Sequence, residues 1–390
     1  MPKNGLGNGQ QIAVIGAGVI GCSIAWSLCK RASNVVLFDE YDKPFRGISS
    51  AGFGSLTPFS DPFYRGEARE FAAKAVGIYR QSWLHELTKA SGQPITFCDR
   101  GLIQLCQDTK DIAHAKDIMT GLAVFQHEAR ILTAAETREM EPNLTGDFLA
   151  SLWMNEPWLD RDQYYTALGC AIANSKYIQT YYGCAIRQIS ADRNHDLVLH
   201  AQDGRKFKCS AAVVCNGLHT NPIDGVPRLP LRWIRGDAIA MYSTDGCPLL
   251  QRHVYFHDGF ITPRAHSEML LGATYHEEYL PPENSRLHRD RIALEQFEKL
   301  IAANLAILPS LAKCEIGKVW RNWRPAAPDN YPILGAFPDE KRIVIANGFI
   351  GLGLTLAPAV AEAVARYFVD AMMGAFPNCF APCRKTLKGE

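Results

Sequence analysis

Residues 12–15, 35–38, 211–215 and 343–346 are short, unbroken apolar runs rich in Val, Ile and Ala. Such runs predict strands buried on both faces, as in a parallel sheet covered on each side. Three of them lead into glycine turns, at Gly16, Gly217 and Gly348. Elsewhere the apolar period lengthens to that of a helix. Residues 69–87, 134–140, 162–175, 289–305 and 354–373 predict helices, the second stopping before Glu141 and Pro142. Residues 102–106, 178–189 and 197–201 predict further strands. Residues 234–242, 254–262 and 269–274 predict a second, mostly antiparallel sheet. The punctuation from Pro222 to Pro230 predicts a crossing between domains.

The buried runs are scattered over the first, middle and last thirds of the chain. The expected fold is therefore α/β, with a discontinuous cofactor domain over 10–90, 150–225 and 320–390. An α+β substrate domain over 91–149 and 226–319 is inserted into it.

The first run carries the sharpest chemistry. Gly16 permits a tight turn, Gly18 lets a pyrophosphate approach the backbone, and Gly21 lets the next helix pack on the strand. With Ala17, Val19 and Ile20 they place a helix N-terminus, and its positive dipole end, against phosphates. Asp39, with Glu40 beside it, closes the second run, where a carboxylate can accept from a ribose hydroxyl. Together these form a Rossmann-like dinucleotide unit. The loop over 47–55 is too rich in Gly and Ser for regular structure. The backbone of Ser49, Ser50, Ala51 and Gly52 can wrap a cofactor.

Composition narrows the classes. A chain of 390 residues with a net charge of +1 gives no general reason to bind nucleic acid or an acidic membrane. Residues 1–11 lack the basic-then-apolar order of a secretory leader, and no apolar segment is long enough to span a bilayer. None of the twelve cysteines forms a Cys-x-x-Cys pair, so reduced thiols in a cytoplasmic protein are expected. Cys379 and Cys383 could be a metal or disulfide pair, but free thiols fit better, and no metal site is expected.

The motifs together resemble the D-amino acid oxidase superfamily of FAD-dependent amine oxidoreductases, which includes glycine oxidase and sarcosine oxidase. The resemblance rests on Gly16 to Gly21 with Asp39, on Ser49 to Gly52, on Leu271-Gly272-Ala273-Thr274, and on Arg324 to Gly335 followed by Asn347 to Gly353. Locally, His257 to Pro263, Leu271 to Glu277 and Gly54 to Pro58 are similar to the FAD domain of the bifunctional enzyme that makes 5-methylaminomethyl-2-thiouridine in tRNA.

The resemblance implies non-covalent FAD. Cys184 and Ala185 would hold adenine with backbone atoms, and Asn216 and Gly217 would border the cofactor. Gly348, Phe349, Ile350, Gly351, Leu352, Gly353 and Leu354 would bring a helix start to the flavin pyrimidine edge. Arg324 would bind a substrate carboxylate bidentately. Phe260 stands where many relatives carry a Tyr whose hydroxyl assists carboxylate binding, so Tyr255, His257 or Tyr275 would have to substitute for it. Arg228, Arg232, Arg235, Arg252 and Arg264 could form an anion- or RNA-facing patch. The implied activity is oxidation of a carboxylate-bearing amine, such as a small or D-amino acid or an N-substituted glycine. Hydride would pass from the α-carbon to flavin N5, the imine would hydrolyse, and O₂ or another acceptor would reoxidise the flavin. The alternative is removal of a carboxymethyl group from carboxymethylaminomethyl-uridine in tRNA, which is less favoured. Oligomeric state is left open.

Overall fold

A computed structural model describes residues 10–60, 64–123, 127–192, 196–217, 223–278 and 290–388. Six strands form one sheet in the order Ile333–Ala336, Ile343–Asn347, Ala211–Val214, Gln11–Ile15, Asn34–Phe38, Ile178–Tyr181. Every neighbouring pair is parallel except the first. Both faces are covered, which explains the unbroken apolar runs. Ile12 and Val14 point into a core shared with the helices Val19–Cys29 and Gly353–Phe368. Ala13 and Ile15 point the other way, against the antiparallel strands Ile186–Ala191, Leu197–Ala201 and Lys206–Cys209.

The second sheet has nine strands and is antiparallel except where His253–Phe256 runs parallel to Leu102–Cys106. Its spine is the pair Arg232–Tyr242 and Glu315–Ala326. Beyond it lie Glu268–Gly272, the hairpin Gly259–Pro263 with His253–Phe256, then Leu102–Cys106, Ala150–Met154 and Ala129–Thr133. The helix Leu294–Ile307 covers one face, burying Leu300 and Ile307 against Ile103, Val254, Ile261 and Leu271. The helix Thr109–Ala123 packs Ala115 and Leu122 on Leu102 and Leu152.

Several elements differ from the expectation. Residues 254–262 are a hairpin rather than one strand, turning at His257 and Asp258. Residues 178–189 are two strands in two different sheets, because the chain turns at Gly183, whose φ is +67°. The helix over 69–87 runs on from Gly66 to Ser91 with a π turn at Tyr79–Trp83. That wider turn goes with two buried rings tied to other segments. Tyr79 donates to the carbonyl of Leu354 (2.7 Å) and Trp83 Nε1 to Tyr164 Oη (3.0 Å). The last helix ends at Phe368, not at 373. The strands Ala150–Met154 and Glu315–Ala326 both sit in the second sheet. Pro222 and residue 289 lie outside the described residues.

Candidate active site

A cavity of about 470 Å³ lies between the two sheets, at the carboxyl ends of the parallel strands. Its wall includes Ile15, Gly16, Phe38, Asp39, Cys215, Ala346 and Asn347, each at or just past a strand end. This is where open α/β sheets bind ligands.

The glycine turn is held from both sides. Gly16 has φ +111°, and a Cβ there would fall 2.4 Å from the carbonyl oxygen of Cys215. A Cβ on Gly21 would fall 1.8 Å from the oxygen of Gly16 and 2.8 Å from Cys215 Sγ. Gly18 faces the cavity. The Asp39 carboxylate accepts from the N–H of Ala17 (2.5 Å) and of Tyr41 (2.8 Å), tying the turn to the second strand. Burial, with the negative charge of Asp39 nearby, pushes the Cys22 and Cys215 thiols well above their usual range. They are inert packing groups, not nucleophiles.

The Gly- and Ser-rich loop forms a short 3₁₀ turn, Ile48–Ala51. Ser49 Oγ accepts from the N–H of Val19 (2.9 Å), so the loop lies on the start of the first helix. Arg161 clamps the loop by donating to the carbonyls of Ser50 (2.9 Å) and Gly52 (2.6 Å). Across the cavity, Leu352, Gly353 and Leu354 open the sixteen-residue last helix. Neither this helix nor Val19–Cys29 is capped by its own N-cap side chain. Asn347 steadies the approach by donating to Asn216 Oδ1 and the carbonyl of Gly217, both at 3.2 Å.

The far end is built on the spine of the second sheet. Trp320, Asn322 and Arg324 alternate along one strand, opposite Ala238, Gly236 and Ile234 on the other. Gly236 makes room for the arginine, since a Cβ there would fall 2.5 Å from Arg324 Nη2. Burial pulls the Arg324 pKa below its usual value, and Tyr275, Tyr255 and Asp237 oppose that shift. A guanidinium starts so high that it stays charged. Around it stand aromatic rings. Phe53 and Phe260 are 4.6 Å apart between centroids, Tyr255 and Phe260 5.1 Å, and Phe53 and Trp320 5.9 Å. Tyr275 also borders the cavity and is 49% exposed.

The structure brings most of the expected residues to one cavity. Arg324, Tyr255, Phe260, Tyr275, Gly16, Gly18, Val19, Ile20, Asp39, Glu40, Ser49, Ala51, Gly52, Cys184, Ala185, Asn216, Gly217 and Phe349 to Leu354 all line it. Ala17, Gly21, Ser50 and Gly348 do not; they support the lining residues from behind. Ser50 Oγ donates back to the carbonyl of Gly47 (2.8 Å), and Gly348, at φ +72°, faces Leu231 and Ala327. Two of the five arginines of the possible basic patch are engaged in ion pairs. Arg252 is bonded to Glu141 (3.0 Å), and Arg264 is buried among Asp160, Asp162 and Glu268. Among lining residues, Phe53, Trp320, Asn322 and Gly236 were not anticipated. The alternation of 320, 322 and 324 was the available signal, masked because residues 315–326 do not alternate in hydrophobicity.

A model of the DAO family, FAD-dependent oxidoreductases, matches residues 11–367. The chain belongs to this family. It is 24% identical to glycine oxidase of Geobacillus kaustophilus over 91% of each protein. It is 23% identical to the bifunctional protein ThiO/ThiG of Synechocystis, covering 96% of this chain but 54% of that one. It is 24% identical to the tRNA 5-methylaminomethyl-2-thiouridine biosynthesis bifunctional protein MnmC of Thiobacillus denitrificans, covering 97% of this chain and 60% of that one. The chain thus spans little more than half of these two bifunctional relatives. The crystal structure of the Geobacillus glycine oxidase superposes with a TM-score of 0.87 at 23% identity, over 96% of this chain and 99% of that one.

This FAD-dependent oxidoreductase has a cavity that suits its cofactor. Two helix starts open into one space, and the glycines leave backbone bare at the phosphate position. Such features bind a pyrophosphate and an anionic flavin edge. Among the described residues, no cluster of three or more His, Cys, Asp or Glu could hold a metal, and no helix is long and apolar enough to cross a membrane.

Proposed function

We propose that the chain oxidises a carboxylate-bearing amine: a small or D-amino acid, or an N-substituted glycine. The half-buried Arg324 guanidinium, lying across Gly236 at the aromatic end of the cavity, is the observation that carries this reading. Its planar fork fits a carboxylate with two parallel bonds and so fixes orientation as well as charge. The named substrate of the glycine oxidase relative is consistent with it.

In this reading the six-stranded sheet and its glycine turns hold FAD non-covalently, and the nine-stranded sheet holds substrate. Bound FAD supplies the acceptor for the hydride. Gly16, Gly18 and Ser49 to Gly52 would hold its phosphates, and Leu352 to Leu354 its flavin edge. Arg324 anchors the substrate carboxylate, while Phe53, Phe260 and Trp320 exclude water from the reacting carbon. Reoxidation uses O₂ or another acceptor. The twelve free cysteines support a cytoplasmic location.

The test is anaerobic mixing of the FAD-loaded protein with a panel of amines, read by bleaching of the flavin absorbance. The panel holds glycine, sarcosine, D-alanine, D-proline, longer N-substituted glycines and tRNA carrying carboxymethylaminomethyl-uridine. Bleaching by a free amino acid supports the proposal. Bleaching by the tRNA alone replaces it with the tRNA-modifying reading, which the similarity to MnmC keeps as the alternative.

A further inference from the structure

Beside the aromatic end of the cavity lies a small polar cluster that the preceding reading does not use. Ser55 lines the cavity, and its carbonyl accepts from Thr355 Oγ1 (3.4 Å) in the first turn of the last helix. Ser55 Oγ is 3.3 Å from His253 Nδ1 and 3.5 Å from Thr262 Oγ1, and the latter two atoms are 3.0 Å apart. His253 and Thr262 are completely buried. They occupy the hairpin strands that also pair Tyr255 with Phe260, so the cluster continues the substrate wall.

His253 is held neutral, because burial lowers its pKa to about 3. A neutral imidazole offers one N–H and one lone pair. Nδ1 therefore bonds one of the two hydroxyls at a time, and Thr262 is the nearer. Whichever tautomer is present, the Ser55 oxygen keeps a lone pair for another partner. The rest of this wall carries the rings of Phe53, Phe260 and Trp320 and the phenols of Tyr255 and Tyr275, while Asn322 Oδ1 already accepts from the N–H of Trp323 (2.9 Å). Ring faces are poor acceptors for an N–H. The cavity's two carboxylates, Asp39 and Glu40, lie at the dinucleotide end, where Asp39 holds backbone N–H groups and Glu40 faces Arg187 (3.9 Å).

We propose that the Ser55 hydroxyl accepts a hydrogen bond from the substrate's amine N–H, and that His253, through Thr262, is the positioning residue for that hydroxyl. This rests on the carboxylate-bearing amine reading. Arg324 and Ser55 then fix the substrate at two points, which sets the direction of the α-C–H between them.

The test uses two acids of one shape, neither of which has an α-hydrogen to transfer. 2-Aminoisobutyrate carries an amine where pivalate carries a methyl group. Each is titrated into the FAD-loaded protein and binding is read from the perturbed flavin spectrum, so no turnover is involved. The wild type should bind 2-aminoisobutyrate more tightly. Ser55→Ala should weaken 2-aminoisobutyrate about fivefold, the usual worth of one such bond, and leave pivalate unchanged. His253→Asn places an amide N–H near the position of Nδ1 and should keep the wild-type preference, whereas His253→Leu should lose it. Equal effects of Ser55→Ala on both acids, or on neither, overturn the assignment of Ser55. Identical behaviour of His253→Asn and His253→Leu overturns the positioning role. If neither acid binds the wild type, the Arg324 reading itself falls and this assignment falls with it.

Discussion

If Arg324 anchors the substrate as proposed, its replacement should separate substrate binding from cofactor binding. Lysine keeps the charge but has neither the planar fork nor the reach of the guanidinium over Gly236, so Arg324→Lys is not conservative. Loss of a bidentate guanidinium–carboxylate pair costs roughly 2–4 kcal/mol, or about thirty- to a thousandfold in kcat/KM. The flavin spectrum and FAD affinity should not change, because Arg324 stands at the far end from the glycine turns. Retention of full kcat/KM in Arg324→Lys would remove the carboxylate anchor. His253 gives a second prediction at this scale. Its folded pKa of about 3 lies below the unfolded value near 6.5. The unfolded chain therefore binds more protons at acid pH, and stability falls as pH drops below 6.5. The loss can approach about 1.4 kcal/mol per pH unit in the window down to pH 3. Melting temperatures from pH 7 to pH 5 should fall more steeply in the wild type than in His253→Asn. Parallel curves would show that the imidazole does not titrate in this way.

At the scale of elements, the cavity depends on where strands leave no side chain. Gly236→Ala would put a methyl group 2.5 Å from Arg324 Nη2 while keeping the strand pairing with Asn322 intact. The guanidinium must then swing away. The expected result is a tenfold or greater rise in KM with FAD binding preserved, measured by steady-state kinetics beside a cofactor titration. The parallel sheet was readable in the sequence for a physical reason. Its strands are buried on both faces, so each is an uninterrupted apolar run, and close packing forces glycine at positions 16 and 21. The second sheet was harder to read. Glu315–Ala326 is exposed over its first four residues and buried near its end, so its period is blurred. Trp320 and Asn322 stayed hidden with it, although Arg324 was visible through its motif. The hairpin at residues 257–258 was missed although His257-Asp258-Gly259 is a polar turn signal between two apolar runs. The ion pairs of Arg252 with Glu141 and of Arg264 with Asp160 and Asp162 join residues about a hundred positions apart, which no local pattern reports.

On the scale of the whole molecule, the cofactor cavity is also the seam of the fold. The core behind it draws Ile12 and Val14 from the first strand, Trp83 from the π turn, Tyr164 from the middle of the chain, and Leu356 and Val360 from the last helix. Tyr79 is bonded to the carbonyl of Leu354 at the cavity edge, and Arg161 reaches across to the loop that carries Ser49. Segments distant in sequence therefore meet at the cavity proposed for FAD. A ligand that binds only the folded state stabilises it by about 2.7 kcal/mol at a hundred times its Kd. For a chain of this size that is a rise of several degrees in melting temperature. Adding FAD to cofactor-free protein should raise Tm in proportion to the logarithm of its concentration, and should slow proteolysis in loop 47–54 and at the start of the last helix together. Gly21→Ala, whose methyl group has no room beside the Gly16 oxygen and Cys215 Sγ, should abolish both effects. A Tm that rises with FAD while only one of these segments gains protection would mean that the cofactor does not bridge the two helix starts.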